Sequence, residues 1–195
     1  MNAATPSDKQ SIREKIRSLR IALDSRPERS QQILDRLIAL PRYQSATNVL
    51  AYVGQRSEVQ TLPLIEQRLR DSEPTFVPWC DEGRLKLFRL ESLGDLESGS
   101  YEISEPRHDL RSESSRIVPL SDIDVILVPG IAFDRSGGRL GQGKGYYDKL
   151  LQEARPRSTL IGLAFDCQIV DAVPREPHDV PMDLVVTESS TIVNY

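Results

Sequence analysis

Histidine and cysteine are almost missing from this sequence, with two of each among 195 residues. Cys80 and Cys167 stand far apart, so they form neither a metal-type pair nor the framework of a disulfide-stapled secreted domain; a reducing cytoplasm is the expected compartment. Only His108 and His178 are available to a Ser-His-Asp set. No apolar run approaches the roughly 20 residues needed to cross a bilayer. The segment Met1 to Ser11 is polar and lacks the apolar stretch of a signal peptide. An excess of positive charge is missing too. The net charge of −4 gives no global attraction to nucleic acid or to an anionic membrane, so any phosphate affinity must come from a local basic cluster. The charged fraction of 28% is that of a folded globular chain, and the length suits a single domain with a sizeable core.

What is present alternates between helical and strand patterns. Ser7-Asp8-Lys9-Gln10 reads as a capping box, with Ser7 at the N-cap. Ile12, Ile16, Leu19 and Leu23 follow at helical spacing. Ser25-Arg26-Pro27-Glu28 opens a second helix carrying Ile33, Leu34, Leu37 and Ile38, which Pro41 is expected to close. Asn48–Val53 and Thr75–Trp79 read as strands, with a helix from Thr61-Leu62-Pro63 between them. Leu85–Leu90 alternates as a half-exposed strand does, and residues 91–122 read as loop with short elements. Asp124–Val128 carries the strongest buried-strand pattern and is broken by Pro129-Gly130. A long loop, Ile131–Gly143, leads into a helix over about Gly145–Ala154; Leu160–Ala164 and Leu184–Val186 are further strands. Strands separated by helices predict an α/β fold: a largely parallel sheet with helices on both faces and ligand sites at the strands' carboxyl ends.

The richest stretch is FDRSGGRLGQGKGYYDKL, Phe133–Leu150. Five glycines, Gly137, Gly138, Gly141, Gly143 and Gly145, stand between the strongest strand and a helix N-terminus. Glycine lets successive backbone amides turn toward an anion, the helix start adds unpaired N–H groups, and Arg139 and Lys144 add charge. These are the ingredients of a polyphosphate cradle. Gly138 to Lys144 matches the spacing GxxxxGK, but Gly145 occupies the place where a P-loop needs a magnesium-binding Ser or Thr. A dinucleotide fingerprint would put its first glycine at the strand end, and here roughly ten residues intervene.

RLGQGKGYYD strongly resembles the signature of the 5-formyltetrahydrofolate cyclo-ligases. VPGIAFDRSGGR is similar to that family's strand and turn, and KQSIR to its Lys-x-x-x-Arg helix. SEVQT resembles its Glu-containing segment, SYEISEP its mid-chain segment, and HDVPMDLVVTE its closing motif. The blocks run in the family's order from end to end. The resemblance implies a three-layer α/β/α fold similar to sugar-phosphate isomerases and CoA transferases, with two helices in front. It implies a reaction in which ATP phosphorylates the formyl oxygen of 5-formyltetrahydrofolate, N10 attacks the activated carbon, and phosphate leaves to give 5,10-methenyltetrahydrofolate.

It also implies roles. ATP would lie on Arg139, Leu140, Gly141, Gln142, Gly143, Lys144, Gly145, Tyr146 and Tyr147, and against Lys9, Gln10, Ser11, Ile12 and Arg13. Lys144, Arg139 and Tyr146 would act on the transferring group. Val53, Glu58, Gln142 and Tyr146 would hold the folate, with Trp79 and Tyr101 as further aromatic candidates. Asp148 and Asp179 would hold magnesium. Read without the resemblance, Lys9 and Arg13 are a solvated basic helix face, Asp148 a first-turn acid favoured by the helix dipole, Asp179 a turn residue and His178 a solvated loop histidine. Where the family commonly has a second arginine in the loop, this chain has Gln142; losing a charge-assisted contact there costs roughly 1–3 kcal/mol. A non-catalytic binding relative and a kinase-like enzyme on another small acceptor stay open at this point. The expected partner is a small-molecule substrate, with no nucleic acid or membrane, on a monomer or weak homo-oligomer.

Overall fold

In the computed structural model, residues 6–99, 104–154, 157–177 and 179–194 are described; Tyr101 and His178 lie outside them. Helices α1 (Pro6–Ala22), α2 (Arg26–Ile38) and the short α3 (Pro41–Gln44) come first. Strand β1 (Val49–Leu50) and helix α4 (Leu62–Arg70) lead to β2 (Thr75–Asp81) and β3 (Arg84–Leu90). Strands β4 (Leu96–Ser98) and β5 (Ser104–Pro106) pair with each other. After β6 (Val125–Val128) come β7 (Ala132–Asp134), β8 (Arg139–Leu140), α5 (Tyr146–Ala154) and β9 (Thr159–Leu163). Strands β10 (Ile169–Val170), β11 (Leu184–Val186) and β12 (Thr191–Val193) end the chain.

Among the described residues, seven strands form one sheet in the order β12-β11-β9-β6-β1-β2-β3. The five inner strands are parallel, and β12 and β3 close the edges antiparallel. Successive residues of a strand face opposite sides, which sorts the core into two layers. Val49, Val125, Leu127, Ile161 and Val186 meet Ile33, Leu34 and Leu37 of α2 and Leu64 and Ile65 of α4. Leu50, Ile126, Val128, Leu160 and Val185 meet Leu150, Leu151 and Ala154 of α5 on the other side. The expected α/β architecture, with helices on both faces of a largely parallel sheet, is what forms.

Several expectations change in detail. Helix α1 begins at Pro6, which puts Ser7 inside it and not at its cap. Helix α2 ends at Ile38, where the Ala39 amide bonds back to the Asp35 carbonyl; Pro41 starts α3 and does not close α2. The run Asn48–Val53 has regular ladder pairing only at Val49 and Leu50. The stretch expected as a long loop holds an antiparallel hairpin, β7 with β8, which β10 joins. Leu19 is 44% exposed, while Arg20 is 5% exposed. The reason is the surface that α1 meets. Beyond the apolar patch of Ile131, Ala132, Leu140 and Val173 that receives Ile12 and Ile16, α1 faces the Gly130 carbonyl and the Ser57 hydroxyl, and these select a donor over a leucine.

The hairpin is fastened to the main sheet by Phe133, which is fully buried. A Cβ on Gly130 would lie 2.5 Å from this ring and a Cβ on Gly162 would lie 2.6 Å from it. The ring thus occupies the space that side chains at the end of β6 and in the middle of β9 would need. Gly162→Ala is expected to overpack this notch and to lower stability by about 1–3 kcal/mol. The urea midpoint checks it: an unchanged midpoint would mean that the ring has another place to go.

Candidate active site

The chain leaves β1 through α4 to β2 on one side, and β6 lies on the other side of β1. The crevice at the carboxyl ends of β1 and β6 is therefore the sheet's topological switch point, where open α/β sheets take their ligands. Val53 and Glu58 follow β1, and the hairpin with its glycine loop follows β6.

The turn of the hairpin is built by Asp134. Its carboxylate accepts hydrogen bonds from the Ser136 amide (2.9 Å) and hydroxyl (2.8 Å), the Gly138 and Val173 amides (2.8 Å each) and the Arg175 guanidinium (2.9 Å). Burial pushes this carboxyl up, and the donors more than offset it, so it sits below the usual carboxylate range. Beyond the hairpin, Gly143 (φ 96°) and Gly145 (φ 72°) adopt left-handed backbone. A side chain there would be strained, and Gly145 opens α5.

Arg139 has a side chain only 4% exposed. It donates to the Pro129 carbonyl (3.1 Å), pairs with Asp148, and lies 5.7 Å from the Tyr147 ring centroid. Lys144 stands exposed on the loop, 6.0 Å from the Tyr146 ring centroid, and the Tyr146 hydroxyl lies near the Cys80 thiol at the end of β2. The side chains of Leu140 and Ile12 pack into the small core under α1, and the Leu140 carbonyl accepts the Ile131 amide at 2.7 Å. Val53 packs at the rim of the main core.

Helix α1 lies along this loop with a cation on each turn. Lys9 meets Glu176 at 2.7 Å and Asp179 at 3.9 Å. Arg13 donates to the Gly141 carbonyl at 3.0 Å, Arg17 to Gln142 Oε1 at 2.8 Å, and Arg20 to Ser57 Oγ at 3.0 Å and the Gly130 carbonyl at 3.3 Å. Gln10 and Ser11 fall on the exposed side, with Gln10 bonded to Glu14. Reading Lys9 and Arg13 as one helical face stops a turn too early. Arg17 and Arg20 extend it at spacings of four and three, and that continued spacing is the signal that would have found them.

Glu58 is the charge at the centre of the crevice. Its Oε2 accepts the Gln55 amide at 3.2 Å, and the amide of the Gln142 side chain lies close enough to favour its charged form. Burial raises its carboxyl above the usual range, against the pull of Arg20 and of these two donors. The same burial, with Glu58 nearby, pushes the Tyr147 and Tyr52 hydroxyls well up. The Tyr147 hydroxyl is buried and meets no hydrogen-bond partner among the described residues. Such an atom marks the place of a water or a ligand group.

Comparison with known proteins gives this arrangement its family. The family model for the 5-formyltetrahydrofolate cyclo-ligases matches residues 5–188. The chain belongs to the 5-formyltetrahydrofolate cyclo-ligase family. A 5-formyltetrahydrofolate cyclo-ligase of Escherichia coli K12 is 35% identical over 180 residues, covering 89% of this chain and 97% of the relative. One from Mus musculus is 29% identical, covering 97% of this chain and 96% of the relative. The NMR structure of the 5,10-methenyltetrahydrofolate synthetase of Aquifex aeolicus superposes with a TM-score of 0.81 at 33% identity, covering 95% of this chain and 92% of that one. Family membership makes the chain an enzyme of the cyclo-ligase class. No described helix is long and apolar enough to cross a membrane.

The position of Glu58 has a consequence for stability. A carboxyl raised by folding binds its proton more tightly in the folded state, so stability falls as pH rises from the ordinary value of about 4.3 through the folded value. Glu58→Gln removes that loss. It is expected to raise Tm relative to the parent at pH 7.5, with the difference closing below about pH 4. Thermal unfolding at the two pH values checks this; an equal difference at both would mean that Glu58 gains no net protonation on folding.

Proposed function

We propose that the chain converts 5-formyltetrahydrofolate to 5,10-methenyltetrahydrofolate with consumption of ATP, in the crevice between β1 and β6. The observation that carries this reading is convergence. A cationic glycine-rich loop and a half-buried carboxylate meet at the switch point of the sheet, with a buried tyrosine hydroxyl left unpartnered beside them.

On this reading the loop Arg139–Tyr147 receives the triphosphate, with Lys144 nearest the transferring phosphate and Lys9 and Arg13 flanking it from α1. ATP supplies the phosphoryl group that turns the formyl oxygen into a leaving group. N10 closes on the formyl carbon and gives up its proton, and the oxygen departs as phosphate. The folate oxygen is itself the nucleophile toward phosphorus, so alignment and charge are what the protein must contribute. Lys144 offsets the charge that develops on the phosphoryl oxygens. Glu58 accepts paired N–H groups from the pterin edge, as a carboxylate in a half-buried site does well. Val53 and Tyr146 give the ring apolar and stacking contact. Tyr147 offers its buried hydroxyl as a donor.

A magnesium ion fits the donors present, provided that it arrives with the phosphates. Magnesium keeps several waters and needs only one or two protein carboxylates. No cluster of three or more metal-type side chains gathers among the described residues. Asp148 is held by Arg139, and Asp179 by the Glu176 amide at 2.7 Å with Lys9 nearby. Each would hold the metal from a position already fixed by a cation or an amide. When bound, magnesium offsets phosphate charge.

The direct test is absorbance in the methenyl-folate band with purified protein, 5-formyltetrahydrofolate, ATP and magnesium. A rise that needs all three additions, with ADP formed in equal amount, is expected. ADP without the methenyl product would point instead to transfer onto another acceptor. Lys144→Ala is expected to lower turnover at least about a hundredfold with Tm unchanged, because the side chain is exposed; near-normal turnover would remove Lys144 from the mechanism. Asp148→Asn is expected to raise the magnesium concentration needed for half-maximal rate, and an unchanged metal titration would reject Asp148 as a ligand.

A further inference from the structure

Of the cations that α1 lays along the site, Arg20 is the one whose hydrogen bonds end on both walls of the crevice. Its Nε donates to Ser57 Oγ at 3.0 Å and its Nη1 to the Gly130 carbonyl at 3.3 Å. Both contacts lie in the interior, with Arg20 5% and Ser57 8% exposed. The wall at Gly130 does not depend on them. The buried Gln168 side chain donates to the same carbonyl at 2.9 Å and to the Ile131 carbonyl at 3.0 Å, while its own oxygen accepts the Phe165 amide. The end of β6 therefore keeps a donor with or without Arg20.

The wall at Ser57 is held differently. Residues 55–58 form a tight turn after β1, in which the Glu58 amide donates to the Gln55 carbonyl at 2.7 Å. The Gln55 amide returns a bond to Glu58 Oε2 at 3.2 Å, so the course of the turn sets where the carboxylate points. At its corner Arg56 has φ 46°, a left-handed backbone that a long side chain adopts only when its surroundings impose it. The two bonds between Gln55 and Glu58 lie inside the turn and would move with it. The bond from Arg20 comes from another element. A guanidinium only donates, so the Ser57 hydroxyl accepts it, and a buried donor carried by α1 holds the residue next to Glu58 in place. Burial raises the Glu58 carboxyl, and the charge of the same guanidinium pulls against that rise.

We propose that Arg20 is a positioning residue for substrate binding: through Ser57 it fixes the 55–58 turn, and with it the direction in which Glu58 presents its carboxylate to the folate. The inference rests on the reading of Glu58 as the group that holds the folate.

Arg20→Met would disturb the packing of a buried stem as well as its bonds, so the deciding variant is Ser57→Ala, which deletes the accepting hydroxyl and leaves α1 intact. Steady-state kinetics of the full chain, with folate and ATP titrated separately and thermal unfolding run alongside, gives the readout. Ser57→Ala is expected to raise KM for the folate roughly threefold to tenfold, with kcat and KM for ATP each within about twofold. Ser57→Cys has nearly the same volume and only a weak acceptor; it leaves no cavity and carries the same expectation. Glu58→Ala should raise KM for the folate by roughly tenfold or more, and adding Ser57→Ala to it should change that value less than about twofold, since no carboxylate remains to be aimed. A folate KM that stays at the parent value in both Ser57 variants, equal rises in both KM values, or additive effects of Ser57→Ala and Glu58→Ala would overturn the positioning role. A folate KM left unchanged by Glu58→Ala, or a wild-type protein that forms no methenyl product, fails at the earlier step and removes the folate reading itself.

Discussion

The ring of Phe133, seated where Gly130 and Gly162 carry no side chain, is the contact on which the rest of the site depends. It fastens a short hairpin across the carboxyl ends of the central strands, and the glycine-rich loop hangs from that hairpin. The hairpin's other face gives α1 its apolar seat at Ile131, Ala132 and Leu140. Its exit carries Arg139 and the left-handed glycines that aim the loop at the crevice. Without that anchor, a glycine-rich segment would have too many backbone states to hold any ligand geometry. The Asp134 carboxylate adds the second constraint, since five donors on one buried group leave the turn a single conformation.

Helix α1 is unusual in what it buries. Ile12 and Ile16 supply a small apolar contact, and the remaining inner positions are cations that reach, turn by turn, for Glu176, Gly141, Gln142, Ser57 and Gly130. A buried arginine is tolerated only where its donors find acceptors. Arg20 finds them at the ends of β1 and β6, so the same contacts that seat the helix also tie the two walls of the crevice together. The electrostatics of the site follow from that layout. Glu58 is raised by burial yet surrounded by donors, a balance suited to a carboxylate that must accept hydrogen bonds from a substrate.

A good part of this was legible beforehand. The apolar runs of Val125–Val128, Thr75–Trp79 and Leu184–Val186 are strands because both their faces are buried, and a run without polar alternation has few other uses. The α/β class followed from the alternation of such runs with helical stripes. The glycine loop announced itself by composition. Less legible were the elements whose form is decided by a partner. Leu19 looked like core because its spacing suited a helix stripe, but the surface opposite it is polar and takes Arg20 instead. The hairpin was invisible because Ala132–Asp134 and Arg139–Leu140 are too short to show a period. Arg17 looked like any surface arginine until Gln142 was placed beside it.

The sequence by itself determined the longer helices, the inner strands, the glycine-rich loop and the family, because each of these is written in local spacing or in residue types that recur in order. The tertiary structure alone decided which charges meet. Arg139 pairs with Asp148, Arg20 turns inward in place of a leucine, and Arg17 reaches Gln142 across the loop. These pairings join residues up to 125 positions apart. They exist because the sheet order brings the ends of β1 and β6 side by side, and no periodicity along the chain encodes that adjacency.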